Sequence, residues 1–375
     1  MMHLALFRVE IPFTTTFTHK SASRAATQSV WVVAQTGEFI GVGEGCPREY
    51  VTGESLVSVQ AFFEEHCESL CRTVQSVADL RTWVDTHTAI IDVNPAAWCA
   101  MELAMLEMFA RREGVPVEHV LDLPTTTGVF KYSAIVSDSE TKQFRSTVAR
   151  YRAMGFVDFK LKLSDDLNRN HEKIKRMRTE HAQTPLRIRV DANNLWADVD
   201  TAVRDLRELA WNFVGIEEPL SPNAFDGMRE VSECTGSPII LDESFLRVDQ
   251  VAALARDAER WIINVRVSKM GGLFRSLAVV QAAGQAGIPV IVGAQVGETS
   301  VLTRAALVVA RAAGTNLVAQ EGAFGTHLLQ TDVANPVLMF GAGGILKADD
   351  YALATASGWG LTLRPTQDFA VSLSE

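Results

Sequence analysis

Two stretches of the sequence, FVGIEEP at residues 213–219 and PIILDES at residues 238–244, decide the fold. Each is a short apolar run that ends in adjacent carboxylates, and the two runs lie one strand-and-helix unit apart. A short apolar run bounded by polar residues is typical of a strand that is buried on both faces. Such strands occur in parallel sheets whose two faces are covered by helices.

The same pattern recurs through the middle of the chain, where apolar runs alternate with segments of helical length. Eight runs are predicted to be strands: residues 130–136, 156–161, 186–190, 213–216, 238–241, 261–267, 289–292 and 316–319. Eight strands that alternate with helices predict an α/β fold, a closed (β/α)₈ barrel of the TIM type. A doubly wound open sheet is the alternative.

The regions outside the predicted barrel have different sequence patterns. Residues 1–60 carry strand and turn signals, and residues 57–112 carry a helical pattern. The stretch 124–128, which is rich in Pro, Thr and Gly, is typical of a linker. The chain is therefore predicted to have three parts: an N-terminal α+β domain over residues 1–125, the barrel over residues 126–350, and a C-terminal segment over residues 351–375 that returns to the N-terminal domain.

The composition excludes several classes of protein. The chain has 375 residues, of which 47% are hydrophobic, so it can bury a large core. Its formal net charge of −10 argues against a nucleic-acid partner, which requires a basic surface. No apolar run reaches the roughly 18 residues of a membrane span. The five cysteines cannot all pair with one another, and we expect them to be reduced, as in a cytoplasmic protein.

Polar side chains recur where the predicted strands end. The second strand ends in Lys160 and Lys162, and the next three are followed by Asp191, Glu217 and Asp242. From Lys162 onward these residues lie 25 to 29 positions apart, which is about one strand-and-helix unit. The carboxyl ends of barrel strands meet at one mouth, where barrel enzymes carry their active sites. Strands six to eight add further polar residues there: Asn264, Arg266, Ser268, Lys269, Gln295, Glu298 and Glu321.

The three carboxylates indicate a divalent cation. Carboxylates that converge repel one another and raise each other's pKa unless a cation lies between them. Ligation by oxygen alone suits a hard ion such as Mg²⁺, with Mn²⁺ as a substitute. A metal that binds a substrate carboxylate makes the α-proton more acidic by stabilising an enediolate, and a neighbouring lysine can remove that proton. A single acid at a strand end is more often a helix cap, but caps do not explain acids on three successive strands.

Six motifs, taken in order, resemble those of the enolase superfamily, in its muconate-lactonizing-enzyme-like branch (the mandelate racemase/muconate lactonizing enzyme family). They are GEGCPREYVTGE at residues 43–54, FKLKL at 159–163, VDANNLW at 190–196, IEEP at 216–219, LDES at 241–244 and GWGLTL at 358–363. The resemblance covers nearly the whole chain and depends on the order and spacing of the motifs. It implies a barrel with an N-terminal α+β capping domain, a small carboxylate substrate, and assembly into a homo-oligomer.

The resemblance also implies a role for each residue at a motif position. Asp191, Glu217 and Asp242 would bind Mg²⁺, while Lys162 would be the acid/base and Lys160 would tune its pKa. Asn193 would support the metal shell, and Glu321 would occupy the acidic position after strand eight. The remaining candidate substrate contacts are His19 and Arg24 in the capping loop 17–24, Tyr50 in the capping loop 49–52, and Gln295 and Glu298 after strand seven.

One position departs from the family pattern. The sixth strand of the family usually carries a second catalytic lysine, whereas NVRVSKMGG at residues 264–272 has Arg266 there. Because arginine does not give up its proton in a protein, we predict one-base chemistry at Lys162, either cycloisomerisation or dehydration. The alternation of side chains along the strand is expected to point Lys269 away from the barrel interior.

Two alternatives remain open at this point. A racemase or epimerase of N-acyl amino acids or dipeptides would use Lys162 and Lys269 as its two bases, provided that strand six ended early or bulged. A binding protein built on an inactive barrel is the other alternative. The complete set of carboxylates and the retained lysine pair argue against it.

Overall fold

The computed structural model describes residues 1–19, 22–180 and 185–373. Its N-terminal region begins with five strands: β1 (His3–Val9), β2 (Pro12–His19), β3 (Ala22–Ala26), β4 (Ser29–Thr36) and β5 (Phe39–Gly45). Six helices follow: α1 (Glu49–Thr52), α2 (Leu56–Thr73), α3 (Val77–Thr86), α4 (Thr88–Val93), α5 (Pro95–Glu113) and α6 (Val117–Val120). Strands followed by helices give this region the α+β character that the sequence predicts.

The rest of the chain alternates strands with helices. The strands are β6 (Val129–Lys131), β7 (Ala134–Val136), β8 (Asp158–Lys162), β9 (Arg187–Asp191), β10 (Gly215–Glu217), β11 (Ile239–Leu241), β12 (Trp261–Val265), β13 (Val290–Val292), β14 (Leu317–Gln320), β15 (Ile345–Lys347) and β16 (Ala370–Ser372). The helices are α7 (Thr141–Ala153), α8 (Leu167–Glu180), α9 (Val199–Glu208), α10 (Phe225–Thr235), α11 (Gln250–Leu254), α12 (Val267–Met270), α13 (Leu273–Ala286) and α14 (Ser300–Ala313).

The predicted barrel is confirmed. Strands β7 to β14 form one parallel sheet in chain order, and the N–H of Ser133 donates to the carbonyl of Gln320 at 2.8 Å, which links the first strand to the last. The predicted first strand, residues 130–136, is divided, because β6 pairs with β15 and only β7 joins the barrel. The division falls at two consecutive residues with different partners. The N–H of Tyr132 donates to the carbonyl of Gly344, whereas the N–H of Ser133 donates to the carbonyl of Gln320.

The C-terminal residues add a strand to the N-terminal sheet. That sheet is antiparallel, with the order β16-β1-β4-β5, and β16 pairs with β1 so that Phe7 lies opposite Ser372. Strands β2 and β3 form a separate hairpin. The division of the chain into domains at residues 125 and 350 stays a prediction.

Buried glutamates tie the N-terminal region to the barrel. Glu44 of β5 accepts hydrogen bonds from the N–H groups of Thr299 at 3.1 Å and Leu302 at 3.3 Å, at the start of α14. Glu102 of α5 accepts one from the N–H of Phe274 at 3.1 Å, at the start of α13. The first N–H groups of a helix have no partner within the helix, and a carboxylate there is also stabilised by the helix dipole. Each glutamate therefore caps a barrel helix from the other region.

Two expectations from composition can be compared with the structure. All five cysteines are free thiols, as expected for a reduced protein. In the described ranges of the chain, no helix combines the length and the apolar character that crossing a bilayer requires. A cytoplasmic location stays a prediction.

Glycines on β5 let this strand pack closely on α5. Gly41, Gly43 and Gly45 alternate along the strand, so they share one face of the sheet. A Cβ at Gly43 would overlap the carbonyl oxygen of Ala100 and come within 2.5 Å of the backbone nitrogen of Ala104. Helix backbone, rather than a flexible side chain, fills the space, so the contact cannot relax easily.

We expect Gly43→Ala to lower the free energy of unfolding by about 3 kcal/mol, because the added methyl overpacks the interface. Gly284→Ala is the matched control, since Gly284 is an exposed position in α13 with no atom within 4 Å of its added Cβ. The control is expected to gain about 0.5–1 kcal/mol from its higher helix propensity. Urea unfolding followed by circular dichroism measures both changes, and equal stability of the two variants would contradict the packing argument.

Candidate active site

A cavity of about 530 Å³ lies at the carboxyl ends of the barrel strands. Two other cavities of similar size lie elsewhere, one between α7 and α8 and one near the start of β7. The cavity at the mouth differs from them in bringing together most of the site residues predicted from the sequence. Those that line it are Tyr50, Lys160, Lys162, Asp191, Asn193, Asp242, Arg266, Gln295, Glu298 and Glu321.

The strand register brings three of the predicted residues side by side. Lys162 of β8 is the Cα partner of Asp191 on β9, and Asp191 is in turn the partner of Glu217 on β10. Asp242 follows the end of β11, the next strand of the sheet. Because neighbouring partners in a parallel sheet point to the same side, a base and two carboxylates share one level of the barrel.

Lys160 is surrounded by acids. Its Nζ lies 2.6 Å from Glu217 Oε1, 3.2 Å from Glu321 Oε2 and 3.4 Å from Asp191 Oδ2. Burial opposes the charged form of this lysine, but Glu217, Glu321 and Asp191 outweigh burial and raise the pKa of Lys160 above its usual value. Lys160 is therefore a fixed cation in the barrel interior.

Lys162 has weaker partners than Lys160. Its Nζ donates to Asn193 Oδ1 at 3.0 Å and lies 3.4 Å from Asp191 Oδ2. Its side chain is 12% exposed, against 4% for Lys160, and it lines the cavity. Lys162 is thus the lysine of the pair that is more exposed to the cavity, and its role as a base stays a prediction.

Asp242 is held by two cations. Arg266 Nη2 forms an ion pair with Asp242 Oδ2, and Lys269 Nζ lies 3.0 Å from Oδ1. Burial opposes ionisation of this carboxyl, but Arg266 and Lys269 outweigh it and hold the pKa of Asp242 below its usual value. Asp242 is consequently a carboxylate in the range in which Glu217 and Glu243 titrate.

The expectation that Lys269 points away from the barrel interior is wrong. Strand β12 ends at Val265, so the alternation of side chains stops there and α12 turns Lys269 back toward Asp242. Its Nζ donates to the carbonyl of Asp242 at 2.7 Å and to that of Asn264 at 2.8 Å, in addition to Asp242 Oδ1. All three protons of the ammonium are used, and the fully buried side chain does not line the cavity.

Two other acids of the site, Glu217 and Glu243, carry raised pKa values, whereas Lys160 and Arg189 outweigh burial and lower the pKa of Glu321. Burial raises the pKa of Glu217 to about 8, opposed by Lys160 and reinforced by Asp191, Glu321 and Asp242. Burial, with Asp242 as the next cause, likewise raises the pKa of Glu243 to about 8. Acids that lie close together favour one another's protonation. A divalent cation between them would oppose that effect.

The carboxylates fit such a cation in part. Glu217 Oε2 is buried and accepts no hydrogen bond from the described residues, so it has an unused ligand position. In the described part of the chain, however, no three acidic, histidine or cysteine side chains already converge as a metal site. Glu217 and Asp242 instead form ion pairs with side chains of the protein: Glu217 with Lys160, and Asp242 with Arg266 and Lys269.

Glu218 has a structural role that the sequence does not reveal. It is buried, and its Oε1 accepts from the N–H groups of Asp242 at 2.7 Å and Ser244 at 2.8 Å. Its Oε2 accepts from Ser244 Oγ at 2.7 Å. Glu218 therefore fixes the backbone that carries Asp242.

The capping-loop candidates differ in their positions. Tyr50 lies in α1 and lines the cavity, and the guanidinium carbon of Arg24 lies 5.6 Å from the centre of its ring. Arg24 donates to Gln28 Oε1 at 3.2 Å and does not line the cavity. His19 ends β2, and its side chain lies outside the part of the structure that is described. Substrate contact by these residues stays a prediction.

Arg189 and Arg48 are site-supporting residues that the sequence reasoning missed. Arg189 is buried in β9, two positions before Asp191, and its Nη1 donates to Glu321 Oε1 at 2.8 Å. The two-residue spacing from Asp191 was a usable signal, because it puts both side chains on one face. Arg48 is also buried and donates to the carbonyl of Val296 at 2.6 Å, and no sequence pattern indicated that contact.

The chain matches known proteins over most of its length. Residues 143–367 match the family described as enolase C-terminal domain-like. N-succinyl-L-Arg/Lys racemase of Bacillus cereus is 25% identical over 309 residues, which cover 81% of this chain and 82% of the racemase.

Two solved structures are also similar. A dipeptide epimerase from Cytophaga hutchinsonii, complexed with Mg and the dipeptide D-Ala-L-Val, has a TM-score of 0.84 at 21% identity and covers 100% of both chains. Muconate lactonizing enzyme has a TM-score of 0.82 at 22% identity and covers 98% of this chain and 99% of that enzyme.

The relatives bear on the choice between reactions. The curated relative is named a racemase, and others of similar identity are named epimerases. The likeness to muconate lactonizing enzyme, at 22% identity, is evidence for the fold alone. Among these proteins the racemase or epimerase alternative therefore has better support than the cycloisomerase expectation.

We expect Lys269→Met to lower the free energy of unfolding by about 3 kcal/mol, since it removes one donor from each of two buried carbonyls and one cation from Asp242. Lys175→Met is the control, because the Lys175 side chain is 77% exposed and its stability change should stay within about 0.5 kcal/mol. Urea unfolding measures both. A change at Lys269 as small as that of the control would mean that its ammonium is not held as described.

Proposed function

Because residues 143–367 match its family, the chain belongs to the enolase superfamily, and we propose that it is a Mg²⁺-dependent isomerase that removes the α-proton of a carboxylate substrate. The observation that carries the proposal is the register of Lys162, Asp191 and Glu217 on adjacent strands. The substrate class that the relatives' names favour is an N-acyl amino acid or a dipeptide.

In this proposal Asp191, Glu217 and Asp242 would hold the metal. The unused Oε2 of Glu217 and the raised pKa of its carboxyl support that assignment. The chemistry that bound Mg²⁺ supplies is stabilisation of the negative charge that develops on the substrate carboxylate. The donor set consists of oxygens alone, as hard divalent cations prefer.

Lys162 acts as the base in its neutral form and accepts the α-proton at Nζ. Asn193 Oδ1, at 3.0 Å from Nζ, orients the amine. Lys160, two residues earlier on the same strand, stays protonated. Tyr50 and Val51 of α1 also line the cavity.

The opposite side of the cavity carries an arginine. Arg266 follows β12, the sixth barrel strand, whereas Lys162 is on β8, the second, so the two lie across the barrel from each other. Arg266 remains charged and cannot take a proton. The arrangement supports proton exchange by Lys162 on one face only, as the sequence predicts. Inversion at the α-carbon of an N-acyl amino acid would need a proton donor other than Arg266 on the opposite face.

Epimerisation by two bases is the second candidate, and the names of the curated relatives favour it. It requires Lys269 to reach the substrate. In the structure Lys269 lies behind Asp242, with all three protons donated to oxygens of Asp242 and Asn264. The second candidate therefore needs a rearrangement of α12 that the one-face reaction does not.

Mg²⁺ binding tests the metal assignment without an activity assay. Titration calorimetry is expected to detect one site in the wild-type protein and affinity weakened by more than about 10-fold in Asp191→Asn. Asp200→Asn, at an exposed position in α9, should bind like the wild type. Identical binding by the wild type and Asp191→Asn, or no binding at all, would exclude this site.

Proton exchange in D₂O tests both the identity of the base and the face of the α-carbon on which the proton is exchanged. With Mg²⁺ and a panel of N-acyl amino acids and dipeptides of both configurations, NMR should show deuterium uptake by one enantiomer only. Lys162→Ala is expected to slow this exchange by about 10²-fold or more, since it removes a general base. Arg266→Lys should allow weak exchange on the second face, because lysine can be deprotonated and arginine cannot.

Lys175→Ala, at an exposed position, should exchange at the wild-type rate. The two-base epimerase gives the opposite pattern. In that case the wild type would incorporate deuterium into both enantiomers, and Lys269→Ala would stop exchange of one of them. Unchanged turnover in Lys162→Ala would instead mean that the base lies elsewhere.

A further inference from the structure

Two buried donors beside the cavity have no acceptor among the described residues. They are the side-chain amide nitrogen of Gln295 and Nε of Arg266. Both side chains line the cavity, and Gln295 is only 2% exposed. A buried donor without an acceptor costs about 1–3 kcal/mol, so such groups usually have a partner in the functional state of a protein.

The orientation of the Gln295 amide follows from its neighbour. Arg266 Nη1 donates to the amide oxygen of Gln295 at 3.0 Å. An arginine can only donate, so the oxygen of Gln295 must face it and the NH₂ group must face elsewhere. The unpartnered donor is therefore fixed by the ion-paired arginine.

The backbone around Gln295 is also held in place. The N–H of Gln295 donates to Glu298 Oε1 at 2.6 Å, and the N–H of Glu298 donates to the carbonyl of Gln295 at 3.1 Å. Gly297 between them has a φ of +92°, and a Cβ there would meet the ring of Phe13 at 3.0 Å. Gln295 thus presents its amide from a loop with little freedom to move.

The geometry points to the side-chain amide of Gln295, oriented by Arg266, as a clamp for the acyl carbonyl oxygen of the substrate, on the side of the cavity opposite Lys162. This inference rests on the proposed function, because it takes the carboxylate and the α-carbon to be bound at the Lys162 side. It adds a specificity determinant: the substrate must carry an acyl carbonyl on the nitrogen that is attached to the α-carbon, and a free amino acid would leave the clamp unpaired.

Charge favours a neutral carbonyl over a second carboxylate at this position. The positive charge of Arg266 is already paired with Asp242. An additional anion would lie close to the Asp242 carboxylate and be repelled. A carbonyl oxygen can accept from the Gln295 amide without adding charge.

Three ligands separate the carbonyl from the rest of the substrate. They are N-acetyl-L-norleucine, its ketone analogue with CH₂ in place of the amide NH, and its hydrocarbon analogue with CH₂–CH₂ in place of the whole amide. All three keep the carboxylate, and the first two keep the carbonyl. Calorimetry in the presence of Mg²⁺ gives the dissociation constants for the wild type, Gln295→Leu and Gln295→Glu, the last of which keeps the oxygen that faces Arg266.

We expect Gln295→Leu to weaken binding of the amide and the ketone by about 3- to 10-fold, the usual effect of one lost neutral hydrogen bond, and to leave the hydrocarbon analogue unchanged. Gln295→Glu should weaken the two carbonyl ligands more than the hydrocarbon, because an acceptor replaces the donor. Gln320→Leu is the matched control: Gln320 is also 2% exposed with an unpartnered amide nitrogen, but it lies outside the cavity, so no ligand should respond to its replacement.

The outcomes distinguish this inference from the function on which it rests. If Gln295→Leu weakens all three ligands equally, or none of them, the clamp is wrong while the metal and the base at Lys162 are unaffected. If none of the three ligands binds the wild-type protein with Mg²⁺, the proposed substrate class fails, and the clamp fails with it. Thermal unfolding of each variant without ligand shows whether the variant is folded.

Discussion

Burial of acidic side chains at the mouth of the barrel is the constraint on which the rest of the site depends. Asp191, Glu217 and Asp242 are all buried, and a buried carboxylate is costly unless an opposite charge lies close to it. The chain supplies that charge itself, with Lys160 beside Glu217 and cations on both oxygens of Asp242. These cations are needed by the fold as well as by the chemistry, so replacing one of them changes both.

The same constraint separates the roles of two lysines only two residues apart. Because successive inward-facing residues of a barrel strand lie in different layers, Lys160 falls at the level of Arg189 and Lys162 at the level of Asp191. In the lower layer Glu321 joins Arg189 to Lys160 through its two oxygens. Lys160 therefore keeps its charge, while Lys162, one layer nearer the substrate, has a neutral amide as its hydrogen-bond partner.

Most of the barrel could be predicted from the sequence because strands buried on both faces leave continuous apolar runs. That Lys162 and Asp191 lie at one level of the barrel could also be predicted, because the two residues are one strand-and-helix unit apart in the sequence. The position of Lys269 could not be predicted. Side chains alternate between the two faces only within a strand, and β12 ends at Val265, before Lys269. The sequence also does not show that Glu218 has a φ of +40° and that its carboxylate accepts from the backbone N–H of Asp242, directly after the next strand.

The contacts of the N-terminal region limit how a substrate can enter. Glu44 and Glu102 cap barrel helices from the other side of the interface, so the two regions cannot separate without exposing helix termini. Opening is thereby confined to short segments such as α1, which carries Tyr50. Arg48, directly before α1, donates to the carbonyl of Val296, which is adjacent to Gln295 in the chain. The segment α1, which lines the cavity, and the loop that carries Gln295 are thus joined by one buried guanidinium.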